Sequence, residues 1–440
     1  MTFHMRSVSR NVLLLCLVAI AFISAAYKIG NRPLQAVFAV SPVPALHDRQ
    51  QPTSKGVPNF QAQFVSSEPG KAVHAPSVVE LRDGSLRAVW FSGSREGAGD
   101  VTIQTAVFNN GSQQWGPESS LFDRNQLQRG LWRYVKKIGN PVIARAPDGS
   151  LHLWMVNVSL GGWAGSAITW SRSKDDGTTW SAPKRLVTSP FLNISTLVKA
   201  APLRMTQGQM GLPVYHEFIA KFAEVLRIDS NGQVLDKVRI PGSQTSLQPV
   251  VLASSAQSAQ AFMRATQGGR VMTSKTQDAG QTWSVAVPLA LPNPNSALAG
   301  AVLQDGSRWL AYNPASAGRE ELALTRLDDL AVGQITVEPP EQNVNKAGPL
   351  GVQEYAAVLG AELKSDGVTD SDIAAYVSSA QRQLCTGINC AQEFSYPFLL
   401  QSRDGTLHLV YTWHRTRIKH IRFDPSAAYS HLTQIHDRPN

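Results

Sequence analysis

The chain has 440 residues, of which 43% are hydrophobic and 17% charged, and its formal charge is +9. That balance excludes a disordered chain and leaves two or three average domains or one large repeat domain. The positive charge either steers an acidic substrate or reflects basic residues scattered over an exported surface, while ten tryptophans among 33 glycines favour a turn-rich β architecture.

Arg6 and Arg10 precede an apolar run from Val12 to Tyr27, closed by Lys28. Residues 1–28 therefore read as a signal peptide, with Ser24-Ala25-Ala26 as small residues for cleavage, or as an uncleaved signal anchor. The run is marginal for spanning, since a bilayer takes about 17–25 apolar residues. Either way the expectation is export to the periplasm or cell envelope, with membrane attachment only through this segment. Residues 29–70 carry Pro33, Pro42, Pro44, Pro52 and Pro58 without periodicity, the pattern of an extended spacer.

From 71 to 424 a hairpin pattern recurs: a Pro-containing start, an apolar strand, an Asp-Gly-Ser/Thr turn and a strand ending in an aromatic residue. It runs from Ala75-Pro76 through Asp83-Gly84-Ser85 to Trp90-Phe91, and from Asn140-Pro141 through Asp148-Gly149-Ser150 to Trp154. Later copies run from Asn295-Ser296 through Asp305-Gly306-Ser307 to Tyr312, and from Tyr396-Pro397 through Asp404-Gly405-Thr406 to Trp413. Degenerate copies start at Ala201-Pro202, reaching Tyr215-His216, and at Gln248-Pro249, reaching Phe262-Met263-Arg264. Six such units predict an all-β fold, a six-bladed β-propeller. No G-x-G-x-x-G or P-loop pattern interrupts them.

A second motif overlies the first. In Ser173-Lys174-Asp175-Asp176-Gly177-Thr178-Thr179-Trp180, Asp175 can accept backbone N–H groups, Gly177 supplies a positive φ, and Trp180 can plug a gap between sheets. It returns as Thr276-Gln277-Asp278-Ala279-Gly280-Gln281-Thr282-Trp283. Weaker echoes are Asn110-Gly111 with Trp115, and Asp229 with Asn231-Gly232.

Residues 331–394 lack a strand pattern. The runs 355–359 and 373–377 have helical periodicity, and Thr369-Asp370-Ser371-Asp372 is a helix start. This predicts a mostly helical insertion before the last blade, on the rim or over the channel as a lid. Cys385 and Cys390 can form a small disulfide; a metal site would need two further ligands, and none is spaced for it. No metal or cofactor is expected. Residues 425–440 form a tail, and the alternation of Arg415, Arg417, Lys419 and Arg422 along a strand argues against a nucleic-acid partner.

In a propeller, polar residues at unit starts and adjoining turns face the central funnel. The first unit offers His74 and the loop bearing Arg95, Glu96 and Asp100, two carboxylates either of which could be a general acid. The third offers Lys199, Tyr215, His216 and Glu217, the last two facing opposite sides of a strand. Gln248 and Arg264 come from the fourth, Asn295 and Asn313 from the fifth, and Tyr396 and Arg415 from the sixth.

The eight-residue loops resemble the Asp box (S-x-D-x-G-x-T-W) of sialidase-type propellers with BNR repeats, a structural device of the blade rim. Residues 71–424 are similar to that superfamily, in a bacterial branch of predicted neuraminidases. The resemblance implies that the segment 393–397 carries a nucleophile, Tyr396, activated by Glu217 with Glu224 in reserve. The acid would be Asp100 or, alternatively, Glu96. A phenol made nucleophilic by a glutamate avoids the repulsion a carboxylate nucleophile would feel from an acidic sugar. His74 stands where those enzymes carry the arginine of Arg-Ile-Pro. Arg264 matches the second carboxylate-gripping arginine, with Asn295 or Arg415 for the third.

The reading is an exported, monomeric, sialidase-like exo-glycosidase acting on an acidic sugar or polysaccharide. His74, Arg95, Lys199, Tyr215, His216, Gln248, Arg264, Asn295, Asn313 and Arg415 would hold the glycan. One alternative is a polysaccharide lyase, in which His74 or His216 with Tyr396 abstracts a proton beside a uronate. The other is a non-catalytic carbohydrate-binding or assembly propeller.

Overall fold

The computed structural model describes residues 11–23, 36–40, 60–66, 68–189, 193–338 and 349–428. Ser24-Ala25-Ala26, most of the 29–70 spacer and the tail beyond 428 lie outside the described residues. Residues 1–37 and 38–440 are separate compact units. In the first, residues 11–23 form an apolar helix, α1. The described part of this helix is shorter than the ~20 residues a bilayer core takes. Among the described residues no helix is long and apolar enough to cross a membrane, so an anchor gains no support.

The second unit is all-β with helical additions, an arrangement consistent with a propeller. Sheet one contains Ala72–Glu80, Leu86–Gly93 and Thr102–Asn109, with Gln114–Trp115 and Ser119–Asp123 on its outer side, and is followed by the helix Arg124–Leu131 (α2). Sheet two runs Lys137–Arg145, Leu151–Val158, Ser166–Ser173 and Lys184–Arg185. Sheet three runs Leu197–Val198, Met210–His216, Phe222–Ile228 and Val234–Arg239, with Leu203–Arg204 also on Met210–His216. Sheet four runs Ser246–Ala253, Ala259–Ala265, Arg270–Thr276 and Val287–Pro292. Sheet five runs Ala299–Val302, Arg308–Tyr312, Leu322–Arg326 and Gln334–Glu338. Sheet six runs Phe394–Gln401, Leu407–Trp413 and Arg417–Phe423, and takes its fourth strand, Gln61–Phe64, from upstream of sheet one. Consecutive sheets touch near their first strands, and Phe394–Gln401 of the sixth touches Ala72–Glu80 of the first.

Apolar clusters fill the spaces between sheets. One joins Val89 and Phe91 of sheet one to Leu151 and Leu153 of sheet two; another joins Trp154 to Leu212 and Leu226 of sheet three. Trp90, Trp154 and Trp413, all on the second strands of their units, are fully buried. Each such side chain contributes about 1.5–3 kcal/mol through burial.

The Pro-containing starts have a backbone reason. Ala75, Asn140, Gln248 and Tyr396, each directly before a proline, take left-handed φ values of 55°, 41°, 51° and 53°. Strand register slips at each of these points. The bulge leaves the proline's missing N–H without consequence and re-aims the preceding side chain. Ser195 and Asn295 take the same conformation, φ 60° and 59°, ahead of the first strands of sheets three and five. Unit three thus starts near Ser195, and Pro202 falls between two short strands instead of at the start read from the sequence.

Both Asp-box loops form as their sequences dictate. Asp175 accepts from Thr179 N (2.9 Å), Thr179 Oγ1 (2.6 Å) and Ser173 Oγ (2.7 Å), and Gly177 sits at φ 90°. Asp278 accepts from Thr282 N and Oγ1 and from Thr276 Oγ1 in the same way. Trp180 meets Phe122 of the preceding sheet edge-on at 6.5 Å.

The 331–394 stretch begins with a strand, Gln334–Glu338, whose Ile335 and Val337 alternate; the helices occupy Val352–Ser365 (α3) and Asp370–Leu384 (α4). Thr369 caps α4 as its sequence predicts, its hydroxyl accepting from Asp372 N. Cys385 and Cys390 are disulfide-bonded.

Candidate functional site

Left-handed residues of four sheets, Asn140, Gln248, Asn295 and Tyr396, deliver their side chains to one cluster. Tyr396 Oη accepts a 3.0 Å hydrogen bond from Gln248 Nε2, and the same amide reaches Tyr215 Oη at 3.4 Å. Asn140 Nδ2 donates to Tyr215 Oη at 3.2 Å. Gln248 Oε1 accepts from Arg264 Nη1 (3.0 Å), and Arg264 Nε donates to Asn295 Oδ1 (2.7 Å). The ring of His74 lies 4.1 Å from that of Tyr396, centroid to centroid.

Two more guanidiniums close the cluster around one carboxylate. Arg319 reaches Glu393 Oε1 at 3.2 Å and Arg415 Nε reaches Oε2 at 3.0 Å, while Ser395 Oγ donates to Oε1 at 2.6 Å. Burial alone would raise the Glu393 carboxyl; Arg415 and Arg319 overcome it and hold the group down at about 2. Arg319 also donates to the Asn295 carbonyl (3.0 Å), and Arg415 Nη1 approaches Glu96 at 3.5 Å. Burial keeps His74 neutral, reinforced by the positive charges of Arg415, Arg319 and Arg264. Three guanidiniums thus converge, two matched to Glu393 and the third, Arg264, bonded only to neutral oxygens.

Glu217 is half-buried at the edge of this cluster, its backbone N–H bonded to Ser195 Oγ at 2.8 Å. Burial raises its carboxyl, with Glu96 adding repulsion against the pull of Lys221 and Arg264. Tyr396 takes its hydrogen bond from an amide, not from this carboxylate.

Other residues expected in the site do different work. Asp100 accepts from Ser94 N and Oγ (2.9 Å each), bonds that overcome its desolvation and shape an exposed loop on which Arg95 also lies exposed. His216 pairs with Glu224 at 2.8 Å and stacks on Phe222; Glu224 meets Arg239 at 3.5 Å, toward the outer strand of sheet three. Asn313 is fully buried and donates to the carbonyls of Glu321 and Phe394, stitching sheet five to sheet six. Arg319, Glu393 and Asn140 were not singled out from the sequence. Arg319 had one available signal: it sits in a second-to-third strand turn, as Glu96, Glu217 and Arg415 do.

Lys199 lies beneath the cluster. It is 4% exposed, its Nζ donates to the carbonyls of Pro397 and Leu298, and it stands 5.9 Å from the ring centres of Tyr396 and Phe398. Burial pushes its amine down to about 7 from an ordinary 10.5. Between those values the unfolded chain holds a proton that the folded chain lacks, so Lys199 makes stability rise with pH across this window. Lys199→Met removes that rise; melting temperature measured from pH 6 to 10 in both proteins checks it, and parallel profiles refute it.

The helical insertion packs behind Arg415. His414 and Arg415 are consecutive left-handed residues, φ 45° and 54°, a conformation that costs about 1–2 kcal/mol per residue. The helices hold it: Tyr355 Oη bonds His414 Nδ1 (2.9 Å), Gln383 Nε2 donates to Arg415 O (3.2 Å), and Thr416 Oγ1 donates to Tyr376 O (3.3 Å). Arg417 lies over the Tyr376 ring at 4.7 Å, and Ser379 Oγ donates to Lys71 O, next to the His74 strand. Tyr355→Phe leaves a buried imidazole nitrogen unpaired, at a cost of about 1–3 kcal/mol, and loosens Arg415. Thermal unfolding of wild type and variant checks this, and equal melting temperatures refute it.

Residues 84–409 match the BNR repeat-like domain. No curated protein matches the chain. Among solved structures, the Hadza microbial sialidase Hz136 superposes with a TM-score of 0.59 at 15% identity, over 81% of this chain and 66% of its own. A protein of unknown function from Dyadobacter fermentans gives 0.59 at 12% identity, over 84% of this chain and all of its own. The intramolecular trans-sialidase of Ruminococcus gnavus, in complex with oseltamivir carboxylate, gives 0.55 at 12% identity, over 83% and 96%. At these identities the likeness is one of fold. The match across 84–409 covers most of the chain, which therefore belongs to the BNR repeat-like domain family.

Proposed function

We propose that the six sheets close as the blades of a propeller and that the chain is an exported glycoside hydrolase for an acidic sugar or polysaccharide. The observation that carries this reading is the convergence of Arg264, Arg319 and Arg415 on the Tyr396–His74 pair. Arg264, with neutral partners, keeps its charge for a sugar carboxylate. Tyr396 attacks the anomeric carbon, the half-buried Glu217 accepts the phenolic proton, and Glu96 at the cluster's edge protonates the leaving oxygen. His74, neutral, packs on the phenol without competing for the carboxylate. Arg6 and Arg10 ahead of the apolar helix support export.

One observation favours a second reading. Tyr396 is bonded by the amide of Gln248, and a phenol beside neutral amides and a neutral histidine suits proton abstraction by a lyase. Incubating the full chain with sialosides, uronides and neutral glycosides separates the two. New reducing ends without ultraviolet absorbance support hydrolysis. Unsaturated product absorbing in the ultraviolet supports the lyase, and binding without turnover leaves a lectin-like module.

A further inference from the structure

A strip of exposed aromatic and basic side chains leads away from the cluster. Residues 131–137 read Leu-Trp-Arg-Tyr-Val-Lys-Lys. Trp132 ends the helix Arg124–Leu131 (α2) in the left-handed conformation, φ 51° and ψ 41°, its N–H bonded to Gln128 O. Glycine is the usual residue at such a position, so a tryptophan there is strained. It is also 96% exposed, and burial recovers nothing. Tyr134 is 58% exposed, and Leu160 on the adjoining loop is 77% exposed. Neither strain nor exposure helps the fold, which turns attention to a ligand.

The strip is held rigidly. Val135 is fully buried and its N–H donates to Gln128 Oε1 at 3.1 Å. Arg133 Nε donates to Ser159 Oγ (2.8 Å) and Lys136 N to Val158 O (2.7 Å), which ties the segment to the loop bearing Leu160. It is also continuous with the cluster. Lys137 Nζ lies over the Trp163 ring at 5.5 Å and abuts Gly97, where a Cβ would meet it at 3.3 Å, beside Glu96. Asn140, three residues on, is bonded to Tyr215 inside the cluster.

We propose that Trp132, Arg133, Tyr134, Lys136 and Leu160 form a second binding surface, for the chain of an acidic polysaccharide whose reacting unit occupies the Tyr396 cluster. The aromatic faces stack on the apolar faces of sugar rings, and the cations pair with successive carboxylates. This rests on the glycan reading of the cluster. A lipid surface would suit the same residue types, but the strip merges into a polar, guanidinium-lined site, which a polymer can enter and a bilayer cannot.

The test uses full-length wild type and Trp132→Ala/Tyr134→Ala, with circular dichroism to confirm that the variant folds. Affinity electrophoresis in gels containing polygalacturonate, alginate or polysialic acid should show retardation of wild type by at least one polymer. The variant should lose about tenfold or more in apparent affinity, while binding or turnover of a single-sugar acidic glycoside stays unchanged. Equal retardation of both proteins, or retardation of neither by any of the three polymers, overturns the proposal. So does loss in the variant of binding to vesicles containing phosphatidylglycerol with polymer affinity intact. If wild type turns over no substrate yet the variant still loses polymer affinity, the hydrolase reading falls and the strip stands.

Discussion

Glu393→Ala should lower the melting temperature by on the order of 10 °C, the equivalent of breaking a buried ion pair at about 3–5 kcal/mol. The carboxylate is 7% exposed and is shared by Arg319 and Arg415, so alanine leaves two largely buried guanidiniums facing each other without an anion between them. Glu393→Gln keeps the shape and one acceptor oxygen and should fall in between. The pH profile carries a sharper signature. The Glu393 carboxyl titrates at about 2 in the folded chain against an ordinary 4.5. Its stabilising contribution is therefore complete above the ordinary value and is lost as pH falls toward 2. Thermal unfolding between pH 5 and 2.5 should be steeper in wild type than in Glu393→Gln; equal slopes would show that the clamp does not hold the charged carboxylate.

Tyr396→Phe should abolish turnover of an acidic glycoside, by at least about 10³-fold in kcat, with little change in ligand affinity. The hydroxyl is the only atom removed, and its neighbour Gln248 keeps a second partner in Tyr215 Oη. A fluorosugar that forms but does not release a glycosyl–enzyme should label wild type at Tyr396, read by peptide mass, and leave the phenylalanine variant unlabelled. Label elsewhere, or a variant that still turns substrate over, removes the tyrosine from the nucleophile's role. Loss of activity without any label in wild type would favour proton abstraction.

The parts of the fold that were legible in the sequence are the locally determined ones. Asp175 and Asp278 fold their own loops through bonds reaching no more than four residues away. The Asp-Gly-Ser/Thr turns close in the same way, with Asp83, Asp148, Asp305 and Asp404 each accepting from the N–H two residues on. Asn-Pro, Gln-Pro and Tyr-Pro marked strand starts, although that they do so by left-handed bulges could not be read. Contacts between sheets were less accessible. Arg319 and Glu393 are 74 residues apart, across the insertion, and only the assembled sheets make them partners. Asp100 looked like an acid because its loop is glycine-rich, yet those same glycines let the chain fold back so that Ser94 binds the carboxylate. The insertion was recognised as helical; that its inner face steadies Arg415 depends on Tyr355 and Gln383 meeting a turn 30 or more residues further along.

The outermost strand of the last sheet, Gln61–Phe64, pairs with Arg417–Phe423 and so waits for chain made some 350 residues later. At a ribosomal rate of roughly 5–20 residues per second, that edge stays unmatched for tens of seconds. During that interval its four backbone positions are open to any passing strand, including one from a neighbouring nascent copy. Yield on overexpression should thus depend on how soon the final hairpin emerges, and cutting the chain before residue 417 would leave the first-made β-segment permanently without its mate.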